Sequence, residues 1–430
     1  MLNKDGEREL CYVVKIEDIQ PIQGRDKVEC AIVGGWTCMV RKGQFNKGDL
    51  GIYFEIDSKV DISKDVFKFT EKYNGKIKTQ KFSIKDEDGN KIGQFWSQGL
   101  LMSAEDFGWE LIHIEEGKSF IARPSKEDKR ITSTIDNLYE GDFLTKELGV
   151  TYAEVEDNKR KSSSGDKYKK MASRHPKLFQ NPIIKKIYKT KLGKKILFVF
   201  FGKKKDSKQS FPDGKFIGVS RTDQERCENM TWILQDKTPF IVTQKCDGSS
   251  GTYILERKGK NKFEFYVCSR NVRILDDKQE CYHDSNYYWE VALRYDIENK
   301  MKKWLQENPT ATFICWQGEI CSPNIQKNPH HLKETHFYCF HWTDSINGRL
   351  DIRKANRLWK EYNMEVVPII DTNYILPDNF EEFKKSADGY YDPICCEGQN
   401  NCIREGYVYY KTTDPTFSFK NVSREYLDKK

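Results

Sequence analysis

Alternating apolar and polar positions, interrupted by glycine turns, dominate the first third of the chain. Residues 11–16 alternate in this way, residues 29–33 are rich in β-branched side chains, and the pair Gly34-Gly35 follows directly. Period-two patterns bounded by turn residues predict β-strands rather than helices. Residues 1–153 are therefore predicted to form a small β-barrel, and the pattern leaves open which of several barrel types it is.

A second strand-rich region begins near residue 211. Residues 240–244 and 252–255 are mostly apolar or β-branched and flank Lys245, which the pattern places in a strand-turn-strand. Between residues 285 and 307, apolar residues recur at roughly helical spacing, and this predicts one helix. The region from residue 211 onward is therefore predicted to form a second domain that contains both strands and helices.

Between these two regions, residues 154–210 are rich in lysine. Such a charge run is typical of a linker or an interaction arm, and the pattern does not distinguish an arm from a solvated connector. A third alternative is a helix that lies on a membrane surface, because Ile183, Ile184, Ile187 and Leu192 fall on roughly one helical face.

The composition indicates a two-domain intracellular protein. The 430 residues exceed the size at which single cores stop growing, and no apolar run approaches the roughly 20 residues that span a bilayer. Thirteen cysteines cannot all pair with one another, so a reducing compartment is expected. The first residues resemble neither a signal peptide nor a transit peptide, and we expect a soluble protein without a membrane partner. The formal net charge of +7 is a modest basic excess, compatible with a polyanionic partner.

The most informative short string is Lys245-Cys-Asp-Gly248, in which a lysine opens a glycine turn. The string suits transfer of a nucleotide onto the lysine amine, although an ordinary surface turn also gives it. An amine attacks phosphorus only when it is unprotonated, so the site is expected to lower the pKa of Lys245 by desolvation or by nearby cations. Attack on a triphosphate also needs a divalent ion, for which the carboxylates of Asp247 and Glu405 are suitable ligands through waters.

Six short strings in the C-terminal half occur in the order found in the covalent nucleotidyltransferases, the superfamily of RNA ligases, DNA ligases and capping enzymes. They are Lys245-Cys-Asp-Gly248, Ser269-Arg270-Asn271, Trp316-Gln-Gly-Glu319, Phe337-Tyr-Cys-Phe340, Glu405-Gly-Tyr-Val408 and Ser418-Phe-Lys420. DNA ligases and capping enzymes carry an OB domain after the last of these strings, whereas ten residues follow Lys420 in this sequence. The chain thus resembles ATP-dependent RNA ligases of the Deinococcus and Naegleria type, which have an N-terminal OB-type barrel. The resemblance implies an α+β fold, with the barrel followed by an adenylation domain of antiparallel sheets and flanking helices over residues 211–430.

The same resemblance implies roles for eight residues around ATP and a divalent ion. They are Lys245 as the carrier of AMP, Arg270 and Glu319 at the ribose, Phe340 on the adenine, Lys420 at the α-phosphate, Arg226 at the pyrophosphate, and Asp247 and Glu405 at the hydration shell of Mg²⁺ or Mn²⁺. The pattern alone leaves simpler explanations open. Phe340 also fits an apolar core strand, Arg270 a surface ion pair, and Glu405 a turn carboxylate.

The segment around Arg226 has a second interpretation as well. Residues 221–229 fit a helix N-terminus that is capped by Thr222 or Asp223. A departure from the superfamily pattern also lies near the α-phosphate, because Ser418 stands where other branches have lysine. One cation instead of two is therefore expected there.

Together, these observations predict an ATP-dependent RNA ligase. The resemblance implies three steps: adenylylation of Lys245, transfer of AMP to a 5′-phosphate at a break, and attack by a 3′-hydroxyl that releases AMP. It also implies that the partner is RNA or a nicked duplex with RNA on the 3′-hydroxyl side. The alternatives are GTP-dependent capping, DNA ligation and a nucleic-acid-binding module whose transferase half is inactive.

Overall fold

The computed structural model describes residues 1–4, 7–86, 88–114, 118–123, 136–153, 182–188, 190–201, 209–276, 286–391 and 401–429. Most of the lysine-rich segment, residues 154–210, lies outside these ranges. Its predicted role as a linker or an arm therefore concerns residues outside the described part of the chain. Its described part contains two short helices. None of the described helices is long and apolar enough to cross a membrane.

The N-terminal region consists almost entirely of short antiparallel strands, as the period-two pattern predicts. The strands are β1 (Cys11–Lys15), β2 (Asp18–Pro21), β3 (Val28–Val33), β4 (Trp36–Arg41), β5 (Leu50–Phe54), β6 (Ser58–Lys59), β7 (Thr79–Lys85), β8 (Lys91–Gln98), β9 (Leu100–Met102), β10 (Glu110–Ile114), β11 (Lys118–Arg123), β12 (Asp136–Leu138) and β13 (Thr151–Tyr152). They form the sheets β1-β5-β9, β2-β3-β4, β7-β8, β10-β11-β12 and β6-β13. Helix α1 (Thr145–Leu148) and two 3₁₀ helices (Asp65–Tyr73 and Glu105–Phe107) complete this part.

The C-terminal region is built on two sheets. Its strands are β14 (Gln209–Ser210), β15 (Glu225–Arg226), β16 (Phe240–Lys245), β17 (Ser249–Gly259), β18 (Lys262–Cys268), β19 (Val272–Ile274), β20 (Phe313–Cys321), β21 (His336–Asp344), β22 (Gly348–Arg349), β23 (Ile369–Tyr374), β24 (Gly406–Lys411) and β25 (Asp414–Val422). The larger sheet has the order β14-β19-β18-β17-β20-β21-β22, and the smaller has the order β15-β25-β24-β16-β23. All pairings are antiparallel except the short β15–β25 pair.

The described part of this half contains seven helices. They are α2 (Pro182–Tyr188), α3 (Lys191–Phe201), α4 (Tyr287–Arg294), α5 (Ile297–Glu307), α6 (Ile352–Glu361), α7 (Phe380–Lys385) and α8 (Arg424–Lys429), with 3₁₀ turns at Cys227–Asn229 and Thr231–Gln235. The main core contains the fully buried indoles of Trp316, Trp342 and Trp359. It also includes Val408 and Tyr410 of β24, so the smaller sheet turns one of its faces toward the larger sheet.

The single helix predicted between residues 285 and 307 is wrong, because the segment forms two helices. The side chain of Asn286 caps α4 by accepting a hydrogen bond from the backbone N–H of Trp289. The chain then breaks at Asp296, which has a φ of 50° in the left-handed region. Aspartate tolerates this conformation better than most residues, so a helical spacing of apolar residues continues across a real break.

The two halves of the chain share a packed interface. The backbone N–H of Gly35 donates to the carbonyl oxygen of Glu228 at 2.7 Å. A Cβ on Gly35 would lie 2.3 Å from the ring of Phe380, so only glycine permits this approach. Tyr426 and Leu427 of α8 pack in an apolar cluster made mostly of barrel residues. The barrel is therefore held against the sheets that carry the predicted site.

Candidate functional site

Lys245 is the last residue of β16, and strand pairing determines its first neighbour. Strand β16 pairs with β24, and Lys245 lies opposite Gly406. Glu405 precedes Gly406, and its Oε2 lies 2.9 Å from Nζ of Lys245. The two side chains are 21% and 11% exposed, so the pair lies in a cleft rather than on the open surface.

A second carboxylate approaches the lysine from the larger sheet. Residues 246–248 cross from β16 to β17, and β17 pairs with β20 so that Ser250 lies opposite Glu319. Oε1 of Glu319 accepts a hydrogen bond from the backbone N–H of Gly248 at 3.1 Å. A Cβ on Gly248 would lie 2.3 Å from the carbonyl oxygen of Ile320, so this close crossing requires glycine.

The neighbouring carboxylates determine the direction in which the pKa of Lys245 is shifted. Burial lowers the pKa of Lys245, but the charges of Glu405 and Glu319 outweigh burial and the net effect is a raised pKa. The expectation that the site lowers this pKa is therefore wrong for this structure, since the nearest charged groups are anions rather than cations. Burial raises the pKa of Glu319 to about 8, while the Lys245 charge opposes the shift.

The available donors fit a hydrated divalent cation. The carboxylates of Asp247 and Glu405 both lie close enough to Lys245 to contribute to its raised pKa. Within the described ranges, no group of three or more His, Cys, Asp or Glu side chains is arranged to hold a metal ion directly. Mg²⁺ usually keeps several waters and takes one or two carboxylates together with substrate phosphates. An ion at Asp247 and Glu405 would thus draw most of its ligands from water and phosphate.

Asp247 is held by residues that the sequence did not single out. The hydroxyl of Tyr426 in α8 donates to Oδ2 of Asp247. The backbone N–H of Asp247 donates to Nε2 of His330 at 3.1 Å. Tyr426 is 179 residues away along the chain and His330 is 83, so no local pattern connects them to the lysine string.

Lys420 lies on the same sheet as Lys245, two strands away. It pairs with Val408 of β24, and Arg226 of β15 pairs in turn with Lys420. Val408 is two residues beyond Gly406, the partner of Lys245. The side chains of Lys245 and Val408 therefore lie on one face of the sheet, and so do those of the residues paired with Val408. The side chains of Lys245, Lys420 and Arg226 therefore emerge in sequence across the same face.

Lys420 lies in strongly basic surroundings. Burial and the charges of Arg8 and Arg226 hold its pKa well below the ordinary value. Its Nζ has no hydrogen-bond or ion-pair partner in the part of the chain that the structure describes. Arg226 reaches into the barrel, where its Nη2 lies 3.2 Å from Oδ2 of Asp57 and its guanidinium lies 5.8 Å from the ring centre of Trp36.

The alternative interpretation of residues 221–229 as a capped helix N-terminus is wrong. The segment forms the short strand β15 and then a 3₁₀ turn at Cys227–Asn229. The hydroxyl of Thr222 lies 2.6 Å from that of Ser250 instead of capping a helix. Asp223 forms an ion pair with Arg270, which follows β18.

Arg270 forms an ion pair with Asp223, as the alternative interpretation of Arg270 as an ion-pair residue predicts. Its guanidinium also lies 5.6 Å from the ring centre of Tyr152, a barrel residue. Burial opposes ionisation of Asp223, but the charges of Arg270 and Lys420 outweigh it and lower the pKa of Asp223. Arg270 and Lys420 thus share one carboxylate neighbour, Asp223, for which the sequence pattern predicted only a role as an alternative helix cap.

Phe340 lies at a β-bulge in β21. In the β20–β21 pair, Gln317 lies opposite His341 and Gly318 lies opposite Cys339, which leaves Phe340 without a partner position. Bulges re-aim side chains and are common beside active sites. Phe340 is half-buried and packs against the apolar cluster that contains Cys246, the residue after Lys245. Its ring is therefore partly packed in the core and partly exposed.

The structure gathers seven of the eight predicted site residues into one group whose charges influence one another, and Phe340 packs against the cluster that contains Cys246, beside Lys245. Lys245, Glu405, Glu319 and Asp247 form its acidic centre. Around this centre lie Lys420, Arg226, Arg270 and Phe340.

Comparisons with known proteins agree with this architecture. Residues 10–104 match the family model of an OB-fold domain, and residues 238–423 match that of RNA ligase. An apo mutant of Naegleria gruberi RNA ligase is 26% identical, with 99% of each chain covered and a TM-score of 0.63. The same ligase with PPi is 25% identical, with 98% of this chain and 99% of that chain covered and a TM-score of 0.64.

A further mutant of that ligase, with ATP and Mn, is 26% identical, with 98% of each chain covered and a TM-score of 0.62. A search of curated proteins found no match to this chain. The predicted α+β class, with an OB-type barrel before a domain of antiparallel sheets, is confirmed.

Proposed function

We propose that this chain, in which residues 10–104 match the model of an OB-fold domain and residues 238–423 match that of RNA ligase, joins RNA ends through a lysyl-AMP intermediate at Lys245. The observation that carries the proposal is the position of Nζ of Lys245, 2.9 Å from Glu405 in a cleft that it shares with Glu319 and Lys420. This arrangement offers one amine nucleophile, carboxylates for a divalent ion and a cation for phosphate.

In the first step, Nζ of Lys245 attacks the α-phosphorus of ATP. A P–N bond forms, the bond from the α-phosphorus to the bridging oxygen breaks, and its electron pair leaves with pyrophosphate. The amine must first lose a proton, and its raised pKa makes this loss unfavourable while Glu405 is its ion-pair partner. Withdrawal of the Glu405 carboxylate from the amine therefore favours loss of this proton to solvent, which must precede the attack.

We propose ATP and either Mg²⁺ or Mn²⁺ as the nucleotide and the ion. Naegleria gruberi RNA ligase has been solved with ATP and Mn and with AMP and Mn. A divalent ion at Asp247 and Glu405 supplies positive charge that stabilises phosphate oxygens. Lys420 contacts the α-phosphate in this proposal, and Phe340 stacks on the adenine.

Two further steps complete the proposed reaction. The 5′-phosphate of an RNA end attacks lysyl-AMP, so the P–N bond breaks and AMP moves to the phosphate. A 3′-hydroxyl then attacks that phosphate, an ester bond forms and AMP leaves. We propose that the OB-fold domain contacts the backbone phosphates of a nicked duplex with RNA on the 3′-hydroxyl side, and such binding is expected to weaken as salt rises.

Incubation with labelled ATP and a divalent ion tests the first step. The wild type is expected to form a covalent band that pyrophosphate reverses, and Lys245→Ala is expected to form none. Lys258→Ala changes a lysine of the same domain that pairs with surface carboxylates, and it serves as the matched control. A labelled adduct that persists in Lys245→Ala would refute the assignment of the nucleophile.

Substrate comparisons separate this proposal from related activities. Labelled GTP in place of ATP tests the capping alternative. Nicks with RNA or DNA on the 3′-hydroxyl side separate RNA ligation from DNA ligation. A protein that binds these duplexes but forms no adduct with either nucleotide would support the inactive binding module.

A further inference from the structure

The segment that begins helix α8 contacts both carboxylates that the proposed function assigns to the divalent ion. The backbone N–H of Ser423, the residue before α8, donates to the carbonyl oxygen of Glu405 at 2.8 Å. The hydroxyl of Tyr426, in the first turn of the helix, donates to Oδ2 of Asp247. The position of this helix is therefore tied directly to the predicted metal site.

The ligase domain fixes the start of α8 and thereby the place of Tyr426. The backbone N–H of Tyr426 donates to Oγ of Ser423 at 3.2 Å, a bond typical of an N-cap residue and the third residue of a helix. Oγ of Ser423 donates in turn to Oδ1 of Asp388 at 2.7 Å. The backbone of Tyr426 is thus held by residues of its own domain.

The barrel holds the same helix through side chains. Tyr426 and Leu427 are 8% and 7% exposed, and they pack in the apolar cluster that contains Tyr53 of the barrel. Nε of Arg424 donates to Oε1 of Gln98 in β8 at 3.1 Å. The place of the Tyr426 hydroxyl therefore depends on contact between the two domains.

Other groups hold the backbone around Asp247. The backbone N–H of Asp247 donates to Nε2 of His330 at 3.1 Å, and that of Gly248 donates to Oε1 of Glu319 at 3.1 Å. The turn after Lys245 thus has supports that do not involve α8. Tyr426 contacts the carboxylate of Asp247 instead, and a hydrogen bond to one of its oxygens selects one orientation of a group that rotates about two side-chain torsions.

From this geometry, we propose that Tyr426 is a positioning residue for the divalent ion. Its hydroxyl holds one oxygen of the Asp247 carboxylate and thereby sets the orientation in which this carboxylate meets the hydration shell of the ion. Hydrogen-bond partners of metal-binding carboxylates orient them in this way in other proteins. The inference rests on the proposed function and adds that packing of α8 on the barrel is coupled to binding of the ion.

Binding of Mn²⁺ to the Tyr426→Phe variant tests this role without catalysis. Phenylalanine keeps the ring in the apolar cluster and removes only the hydroxyl. Free Mn²⁺ is measured by electron paramagnetic resonance with AMP present. The Kd for Mn²⁺ is expected to rise about 10- to 100-fold, the loss typical of an outer hydrogen-bond partner of a metal ligand.

The dependence of adduct formation on Mn²⁺ gives a second measurement. In Tyr426→Phe, the Mn²⁺ concentration for half-maximal adduct formation with ATP is expected to rise by a similar factor. The rate at saturating Mn²⁺ is expected to lie within about twofold of the wild-type rate, because a weakened site fills at high ion concentration. A purely structural role of Tyr426 predicts instead a rate that stays low at every Mn²⁺ concentration.

Tyr295→Phe is the matched control. The hydroxyl of Tyr295 donates to Oε2 of Glu365 at 2.5 Å, so this variant also loses a bond from a tyrosine hydroxyl to a carboxylate. It is expected to keep the wild-type Kd for Mn²⁺. Leu427→Ala loosens α8 from the barrel and keeps the Tyr426 hydroxyl, and it is expected to raise the Kd by a smaller factor. The melting temperature of each variant checks that it is folded.

An unchanged Kd for Mn²⁺ in folded Tyr426→Phe would overturn the proposal, and so would an adduct rate that stays low at saturating Mn²⁺. An unchanged Kd in folded Leu427→Ala would overturn the coupling between barrel packing and ion binding. A wild-type protein that forms no adduct would instead overturn the proposed function. The two failures are distinguishable because Mn²⁺ binding is measured without the reaction.

Discussion

Replacement of Glu405 by glutamine tests how this carboxylate controls Lys245, the proposed nucleophile. Glu405 Oε2 lies 2.9 Å from Nζ of Lys245, and its charge is the largest of those that raise the pKa of this amine. Glutamine keeps the shape of the side chain and removes its charge. Two consequences of opposite sign follow for Lys245.

First, the amine is expected to lose protons more readily. At an effective dielectric constant of about 20, two unit charges at this separation attract each other by about 6 kcal/mol before the cost of burial is subtracted. Loss of that attraction lowers the pKa of Lys245, so a larger fraction of the amine is unprotonated at neutral pH. Its rate of acylation by a neutral reagent, followed by mass spectrometry of the peptide that contains Lys245, is expected to rise.

Second, adenylylation is expected to fall. If Glu405 helps to hold the divalent ion, its loss removes charge stabilisation of several kcal/mol from the transition state, and each 1.36 kcal/mol is a factor of ten in rate. The expected loss is roughly 10²- to 10³-fold in the rate of AMP adduct formation with ATP. The adduct is quantified by rapid quench under single-turnover conditions.

A rise in acylation together with a fall in adenylylation distinguishes loss of the Glu405 charge from general disruption of the site. Glu361→Gln, at the exposed end of α6, is the matched control and is expected to change neither rate. If acylation and adenylylation both fell in Glu405→Gln, the proposed role of the ion pair would be refuted. If adenylylation were unchanged, Glu405 would have no part in binding the ion.

Two further predictions concern the walls of the cleft. Phe340→Ala is expected to raise the KM for ATP in adduct formation by about 5- to 150-fold, the range of one lost base-stacking contact. Phe340→Tyr keeps the ring and is expected to keep most of the affinity. An unchanged KM in the alanine variant would assign Phe340 to the core alone. Glu319 has a raised folded-state pKa of about 8 against an ordinary value of 4.5, so its stabilising contribution is complete below 4.5 and is lost as pH rises through 8. The melting temperature of Glu319→Gln relative to the wild type is therefore expected to increase between pH 5 and pH 8 and to level off above that; a difference that does not change with pH would contradict the raised pKa.

Local pattern was enough to predict the strands around the lysine. Residues 240–244 and 252–255 are mostly apolar or β-branched, and they lie in β16 and β17, the strands before and after the turn that Lys245 opens. The break at Asp296 was missed because the apolar spacing continues through it, while the backbone leaves the helical region at one residue. Periodicity indicates which side of an element is buried, but it does not indicate a break in which the backbone of one residue leaves the helical conformation.

The candidate site was predictable where the order of short strings identified its residues. Glu405 and Glu319 were named in this way, and pairing of β16 with β24 and of β17 with β20 explains why they meet Lys245. The protonation of Lys245 was not predictable, because it depends on which charges the fold places nearest. Tyr426 was missed for a similar reason, since its contact with Asp247 joins residues 179 positions apart.

The packing of α8 against the barrel has a consequence for biosynthesis. Tyr426 and Leu427 complete an apolar cluster whose other members are mostly strand residues of the first domain. Chains grow at about 5–20 residues per second, so these two side chains emerge from the ribosome roughly tens of seconds after the barrel strands. During that interval the nascent barrel exposes an uncovered apolar surface, and its maturation is coupled to completion of the ligase domain.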